Sequence, residues 1–122
     1  MRARLGALSA KVLYIVLLSW ITPAWSQTLA LDTGSHLLEH CTGTDFQQTL
    51  CIGFLLGVVD GANITRIAVN PERGWICRPK TATHGQVRDV VVSYLKANLD
   101  THRQAAGQVA FIALAEAFPC AR

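Results

Sequence analysis

Four cysteines, Cys41, Cys51, Cys77 and Cys120, follow an N-terminal stretch with the form of an export signal, and together they confine this chain to small folds stapled by disulfides. The stretch has a basic beginning with Arg2, Arg4 and Lys11, an apolar run from Val12 to Ile21, and a small-x-small site at Ala24-Trp25-Ser26. That apolar run is too short to span a bilayer. Residues 1–26 therefore read as a cleavable signal peptide and residues 27–122 as a single mature domain. A domain of about 96 residues outside the cytosol has a small core, and disulfides commonly supplement it. No C-x-x-C motif is present, and although His40 adjoins Cys41, an oxidising compartment favours a structural disulfide over a reactive thiolate.

Charge narrows the partners. Three of the eleven basic residues lie in the signal, and the remaining eight are balanced by eight acidic ones. A mature domain near neutrality, with no Lys/Arg cluster after residue 27, is not expected to bind nucleic acid. Asp60, Arg66, Arg88, Asp89 and Lys96 interrupt every later apolar stretch, so no membrane anchor is expected after cleavage.

The pattern predicts an all-α fold, a small disulfide-stapled bundle of about four helices. Ser35 to Cys41 makes one or two amphipathic turns. Thr44-Asp45-Phe46-Gln47 fits a capping box that starts a longer helix, with Phe46, Leu50, Phe54, Val58 and Ala62 recurring at fours. Gly53, Gly57 and Gly61 run alongside, each costing roughly 1 kcal/mol in a helix. A groove for close approach of another helix would account for them. Thr83-His84-Gly85-Gln86 is a second capping box, ahead of a face formed by Val87, Val90, Val91, Tyr94 and Leu95. The last helix, from about Thr101 to Ala117, is apolar all round through Val109 to Ala115 and stops before Pro119. One of its faces should meet the core and the other a second subunit, with Ala110 and Ala113 at that dimer interface.

Four cysteines allow three pairings. If consecutive helices alternate in direction, the end of the first helix lies beside the start of the second, bringing Cys41 to Cys51. The second helix then carries the chain about 30 Å away, so Cys77 falls at the far end, where the last helix delivers Cys120. The expected pairs are Cys41 with Cys51 and Cys77 with Cys120.

Other chemistry is sparse. His36 and His40 stand at i and i+4 on one helical face and could hold two metal positions, but a third ligand is missing unless Glu39 or Cys41 contributes. They are weak candidates beside a plain pair of helix histidines, and no metal or cofactor is expected. Asp60, Asp89 and Glu116 sit on different helices and form no acid/base dyad by spacing; Asp60, beside Gly61, reads as a structural hydrogen-bonding group. The sequon Asn63-Ile64-Thr65 falls on a helix and reads as chance. The loop Asn70 to Ile76 presents Arg73 and Trp75, residue types enriched in binding hot spots, and these are the candidate partner contacts. In the bland reading, Trp75 caps the core beside the disulfide.

The phrase Cys51-Ile52-Gly53-Phe54-Leu55-Leu56-Gly57-Val58-Val59-Asp60-Gly61, then Cys77-Arg78-Pro79, then His84-Gly85-Gln86 with Val90 to Leu95, then Ala117-Phe118-Pro119-Cys120, resembles the Rap/Tai family of type VI secretion amidase-immunity proteins. The resemblance implies a periplasmic, mostly helical, disulfide-bonded homodimer that binds a peptidoglycan amidase effector and blocks its active site, with no catalysis of its own. It implies nothing about which residues touch the toxin. Two other readings stand beside it: a small periplasmic chaperone or envelope-stress binding protein, and a metal or ligand carrier using His36 and His40.

Overall fold

The computed structural model describes residues 31–69 and 75–121. The signal segment, and Arg73 with its loop, lie outside them. Four α-helices follow in order: α1 (Gly34–Thr42), α2 (Asp45–Val69), α3 (His84–Ala97) and α4 (Ala106–Ala117), with a 3-10 turn at Leu99–Arg103 between the last two. They pack around one core, and each helix touches every other. The expected all-α, disulfide-bonded bundle is the fold observed.

Local chemistry sets the helix starts. Thr33 caps α1, its hydroxyl accepting from the His36 backbone N–H at 3.4 Å. Both capping boxes form: Gln47 N–H donates to the Thr44 hydroxyl at 3.4 Å while Thr44 N–H donates to the Gln47 side chain at 2.9 Å. In the second box Gln86 N–H donates to Thr83 Oγ1 at 3.2 Å and Thr83 N–H to the Gln86 side chain at 2.8 Å. Each box satisfies donors that have no partner within their helix.

The last helix starts later than its apolar pattern predicts. Thr101 Oγ1 donates to the Asn98 carbonyl at 2.6 Å and tightens Leu99–Arg103 into the 3-10 turn. Ala105 is then extended, pairing with Thr33 in a single antiparallel bridge. Gly34 N–H donates to the Gln104 carbonyl at 3.0 Å, and Ala106 N–H donates to the Asp32 carbonyl at 2.9 Å. The chain before α1 thus straps the start of α4. Gly34 is needed here, since a Cβ would stand 2.5 Å from the Thr101 carbonyl oxygen.

The core is a set of narrow stripes. Leu37 and Cys41 come from α1, Cys51, Leu55 and Val59 from α2, Val87, Val91 and Leu95 from α3, and Val109, Ala110, Ala113 and Leu114 from α4. The spacings of four and three are those of one helical face. On α2 the buried stripe lies one residue over from the one expected. Phe54, Val58 and Ala62 only flank the core, and Phe46 is 64% exposed.

Disulfides join Cys41 to Cys51 and Cys77 to Cys120, with Cα–Cα distances of 5.2 Å and 4.8 Å. The first is buried within the core, whereas Cys77 is exposed. Beside the second, Cys77 N–H donates to the Phe118 carbonyl at 2.9 Å, fastening the segment before α3 to the end of α4. Closing loops of these lengths removes about 3 and about 4 kcal/mol of unfolded-state entropy in the chain-entropy account, a large share of the stability of a small domain.

Candidate partner-binding surfaces

Three surface features stand out, and each follows from where the core stops. The first is Trp75. Ile76 is buried and acts as a peg, Cys77 is clasped to Cys120, and Trp75 is left beside them 46% exposed. Its ring meets Phe111 of α4 at a centroid distance of 5.8 Å and an interplanar angle of 56°, a tilted arrangement favoured between aromatic rings. Half of the indole therefore packs on α4 and half faces solvent, so the binding and the core-capping readings of Trp75 describe two sides of the same ring.

The second is an open groove of about 1030 Å³ between α3 and α4, lined among others by Pro79, Gln86, Asp89, Tyr94, Glu116 and Phe118. Glu116 places a carboxylate on its rim, while the Asp89 carboxylate there is paired with Arg88. Asp89 accepts from Arg88 Nη2 at 2.7 Å and Nε at 2.9 Å, and Arg88 also donates to the Gln48 side chain on α2.

The third is the outer face of α2. Gly53, Gly57 and Gly61 are exposed, and a Cβ at any of them would meet nothing within 4 Å. The expectation of a groove for another helix is corrected in one respect: no helix among the described residues occupies it. Phe46, Ile64, Ile67 and Val69 are exposed on this helix as well. Asp60, expected in a structural hydrogen bond, lies exposed on the same side. The sequon Asn63 to Thr65 is helical, with Thr65 Oγ1 donating to the Gly61 carbonyl at 2.8 Å.

The proposed interface alanines are also corrected. Ala110 is 0% and Ala113 1% exposed, both packed inside the protein's own core, so they have no surface to offer a second subunit. α4 is apolar all round because it sits at the centre of the bundle, touching α1, α2 and α3.

The histidines do not converge. His36 is exposed, and the Asp32 carboxylate accepts from its Nδ1 at 2.5 Å. This hydrogen bond holds the Asp32 carboxyl below its ordinary range. His40 is buried at the end of α1, its Nδ1 without a hydrogen-bond partner among the described residues. Among the described residues no group of three His, Cys, Asp or Glu side chains gathers as a metal-ligand set. All four cysteines are engaged in disulfides, which leaves no thiolate for nucleophilic chemistry.

Sequence reasoning named Trp75 as a candidate contact without its stacking on Phe111, read the glycine stripe of α2 without the exposed apolar residues beside it, and did not anticipate the groove. Ile64 and Ile67 carried a usable signal for the face, since both lie off the stripe of fours that was taken for the core. The groove, made by two helices distant in sequence, carried none.

The fold defines a small helical bundle clasped by two disulfides, with its distinctive chemistry at the surface. Residues 33–120 match the model of the Rap1a immunity proteins, and the chain belongs to that family. No curated protein and no solved structure matches it.

Proposed function

We propose that this protein is exported to the periplasm, where it acts as an immunity protein that binds a type VI-secreted peptidoglycan amidase effector and blocks its active site. The observation that carries the reading is the family match over residues 33–120. Two disulfides agree with an oxidising compartment, and the signal form of residues 1–26 agrees with export. Inhibition needs no chemistry from the inhibitor, so the protein is read as non-enzymatic and without a cofactor. It is read as a homodimer whose effector contacts include Trp75 and, from the neighbouring loop, Arg73. A half-exposed tryptophan held by a disulfide suits that role, because little of its freedom remains to be lost on binding.

The test is peptidoglycan cleavage by a cysteine amidase encoded beside this protein's gene, with and without the purified protein. Stoichiometric loss of cleavage is expected, and Trp75→Ala should weaken inhibition by at least tenfold, the size of a modest hot spot. Undiminished cleavage at excess protein would sink the assignment.

A further inference from the structure

We propose that the groove between α3 and α4 receives a lysine or arginine side chain carried on a loop of the effector. This deepens the proposed function and rests on it, adding a surface and a chemistry for the partner. The groove is walled largely by apolar and aromatic groups, among them Pro79, Val90, Tyr94, Ala113 and Phe118, and none of its lining residues is basic. Glu116 supplies its unpaired charge. An apolar trough ending in a carboxylate matches a long aliphatic stem tipped by a cation.

Helix polarity strengthens the match. The groove runs along the last turns of α4, where the helix dipole is negative and Lys, Arg or His in the last turn normally offsets it. α4 has no basic residue there and carries Glu116 instead. Pro119 adds to the deficit, since it has no N–H to offer the Ala115 carbonyl. The nearby cations are committed or directed elsewhere: Arg88 holds Asp89, Arg78 donates to the Ala82 carbonyl at 3.0 Å, and the exposed Lys80 does not line the groove. The start of α3 also reaches the groove at Gln86, but the capping box already satisfies the Gln86 and Thr83 N–H groups, so an anion finds little to bind.

Size selects a protein segment over a free metabolite. At about 1030 Å³ the groove lies at the upper end of the roughly 300–1,000 Å³ of small-ligand pockets, and it is open rather than enclosed. A free amino acid or short peptide would also bring its own carboxylate to Glu116, whereas a side chain within a loop brings only the cation. The groove adjoins the candidate contact Trp75 as well, since Phe118 lines it and the Phe118 carbonyl accepts from Cys77 N–H at 2.9 Å. One partner can engage both.

The experiment is calorimetric binding of the disulfide-intact protein to the neighbouring amidase, as the native chain, Glu116→Gln and Glu116→Lys. Glu116→Gln should weaken binding about threefold, within the range of an accessible ion pair, and Glu116→Lys more than about tenfold, because like charges then meet. Glu116→Lys should keep or slightly raise the thermal midpoint, since a cation suits the last turn of α4. Its loss of binding is thereby separated from loss of fold. Raising salt from about 0.05 to 0.5 M should weaken the native complex more than that of Glu116→Gln. A second titration does not involve the amidase: acetyl-Leu-Lys-Leu-amide, followed by NMR up to about 10 mM, should shift the amides of Val90, Tyr94 and Phe118. Acetyl-Leu-Glu-Leu-amide should not, and Glu116→Lys should abolish the response. Amidase binding equal in the native protein and Glu116→Lys, equal response to the two peptides, or no response to the lysine peptide would each overturn the proposal. So would groove amides that shift in Arg122→Ala without any peptide, since the chain's own C-terminus would then be the occupant. If the native protein does not bind the amidase, the immunity reading falls, and the peptide response upholds or overturns the groove's preference for a cation on its own.

Discussion

Helices α2 and α4 are both apolar nearly all round, yet they end in opposite surroundings. α4 has 12 residues and is enclosed by its three neighbours, five of its residues being buried. α2 has 25 residues and buries only Cys51, Leu55 and Val59. A short helix can be surrounded by partners of similar length, but a long one outruns them, and its far side is left uncovered by the other described helices. Composition alone does not distinguish the two cases. α2 is even long and apolar enough to cross a membrane by length and composition, although its Cys51, Leu55 and Val59 stripe is folded into a protein core.

The sharpest way to break the contrast is to truncate one apolar residue on each helix. Leu114→Ala should cost about 2–5 kcal/mol, because the leucine is fully buried and the bundle around it can collapse only in part. Ile64→Ala, at low protein concentration where only the monomer counts, should change stability by about 0.5 kcal/mol or less. Denaturant unfolding of both variants gives the comparison directly. Equal losses would mean that the α2 face is covered within the subunit after all.

The two disulfides carry the contrast to the helix ends. Cys41–Cys51 fastens the start of α2 from inside the core, and Cys77–Cys120 fastens the end of α4 at the surface. Thiol–disulfide exchange requires access of the attacking thiolate. Mild reduction followed by alkylation should therefore label Cys77 and Cys120 before Cys41 and Cys51, as read by peptide mass. Opening the outer clasp should cost about 4 kcal/mol in the chain-entropy account and speed amide exchange in the last turn of α4 first. Labelling of Cys41 or Cys51 ahead of Cys77 would show that the core around the first clasp opens more easily than its burial suggests.

The same contrast explains how much was legible in the sequence. The capping boxes at Thr44/Gln47 and Thr83/Gln86 were readable because their chemistry closes within four residues. The expectation of two clasps followed from helices alternating in direction, a rule that needs no side-chain detail. The buried stripe of α2 was read one residue off, because the run from Cys51 to Val59 holds no polar side chain to set its phase. Ala110 and Ala113 were assigned to the outside for the same reason, when it was α2 that had the uncovered face. The start of α4 was misplaced because the strap from Asp32 to Gly34, remote in sequence, decides where Ala105 must be extended.

That strap supplies the smallest expected effect, and one that should touch α4 without touching α2. The Asp32 carboxylate accepts from His36 at 2.5 Å, which holds its carboxyl below the ordinary value of 3.8. A carboxyl with a depressed folded-state pKa stabilises the fold fully above that ordinary value, and the contribution is lost as pH falls through the depressed one. Asp32 is exposed, so solvent screens the interaction and little stability rides on it. Replacing Asp32 with asparagine keeps the backbone carbonyl that accepts from Ala106 at 2.9 Å, and the thermal midpoint should scarcely move at neutral pH. The carboxyl carbon of Asp32, followed by NMR through an acid titration, should show its midpoint below 3.8 in the native protein and rise toward that value in His36→Ala. Amide shifts accompanying the titration should be confined to the first turns of α1 and α4. A midpoint at or above 3.8 in the native protein would remove the His36 contact, and shifts spreading along α2 would mean that the strap is coupled to the face from which the structure separates it.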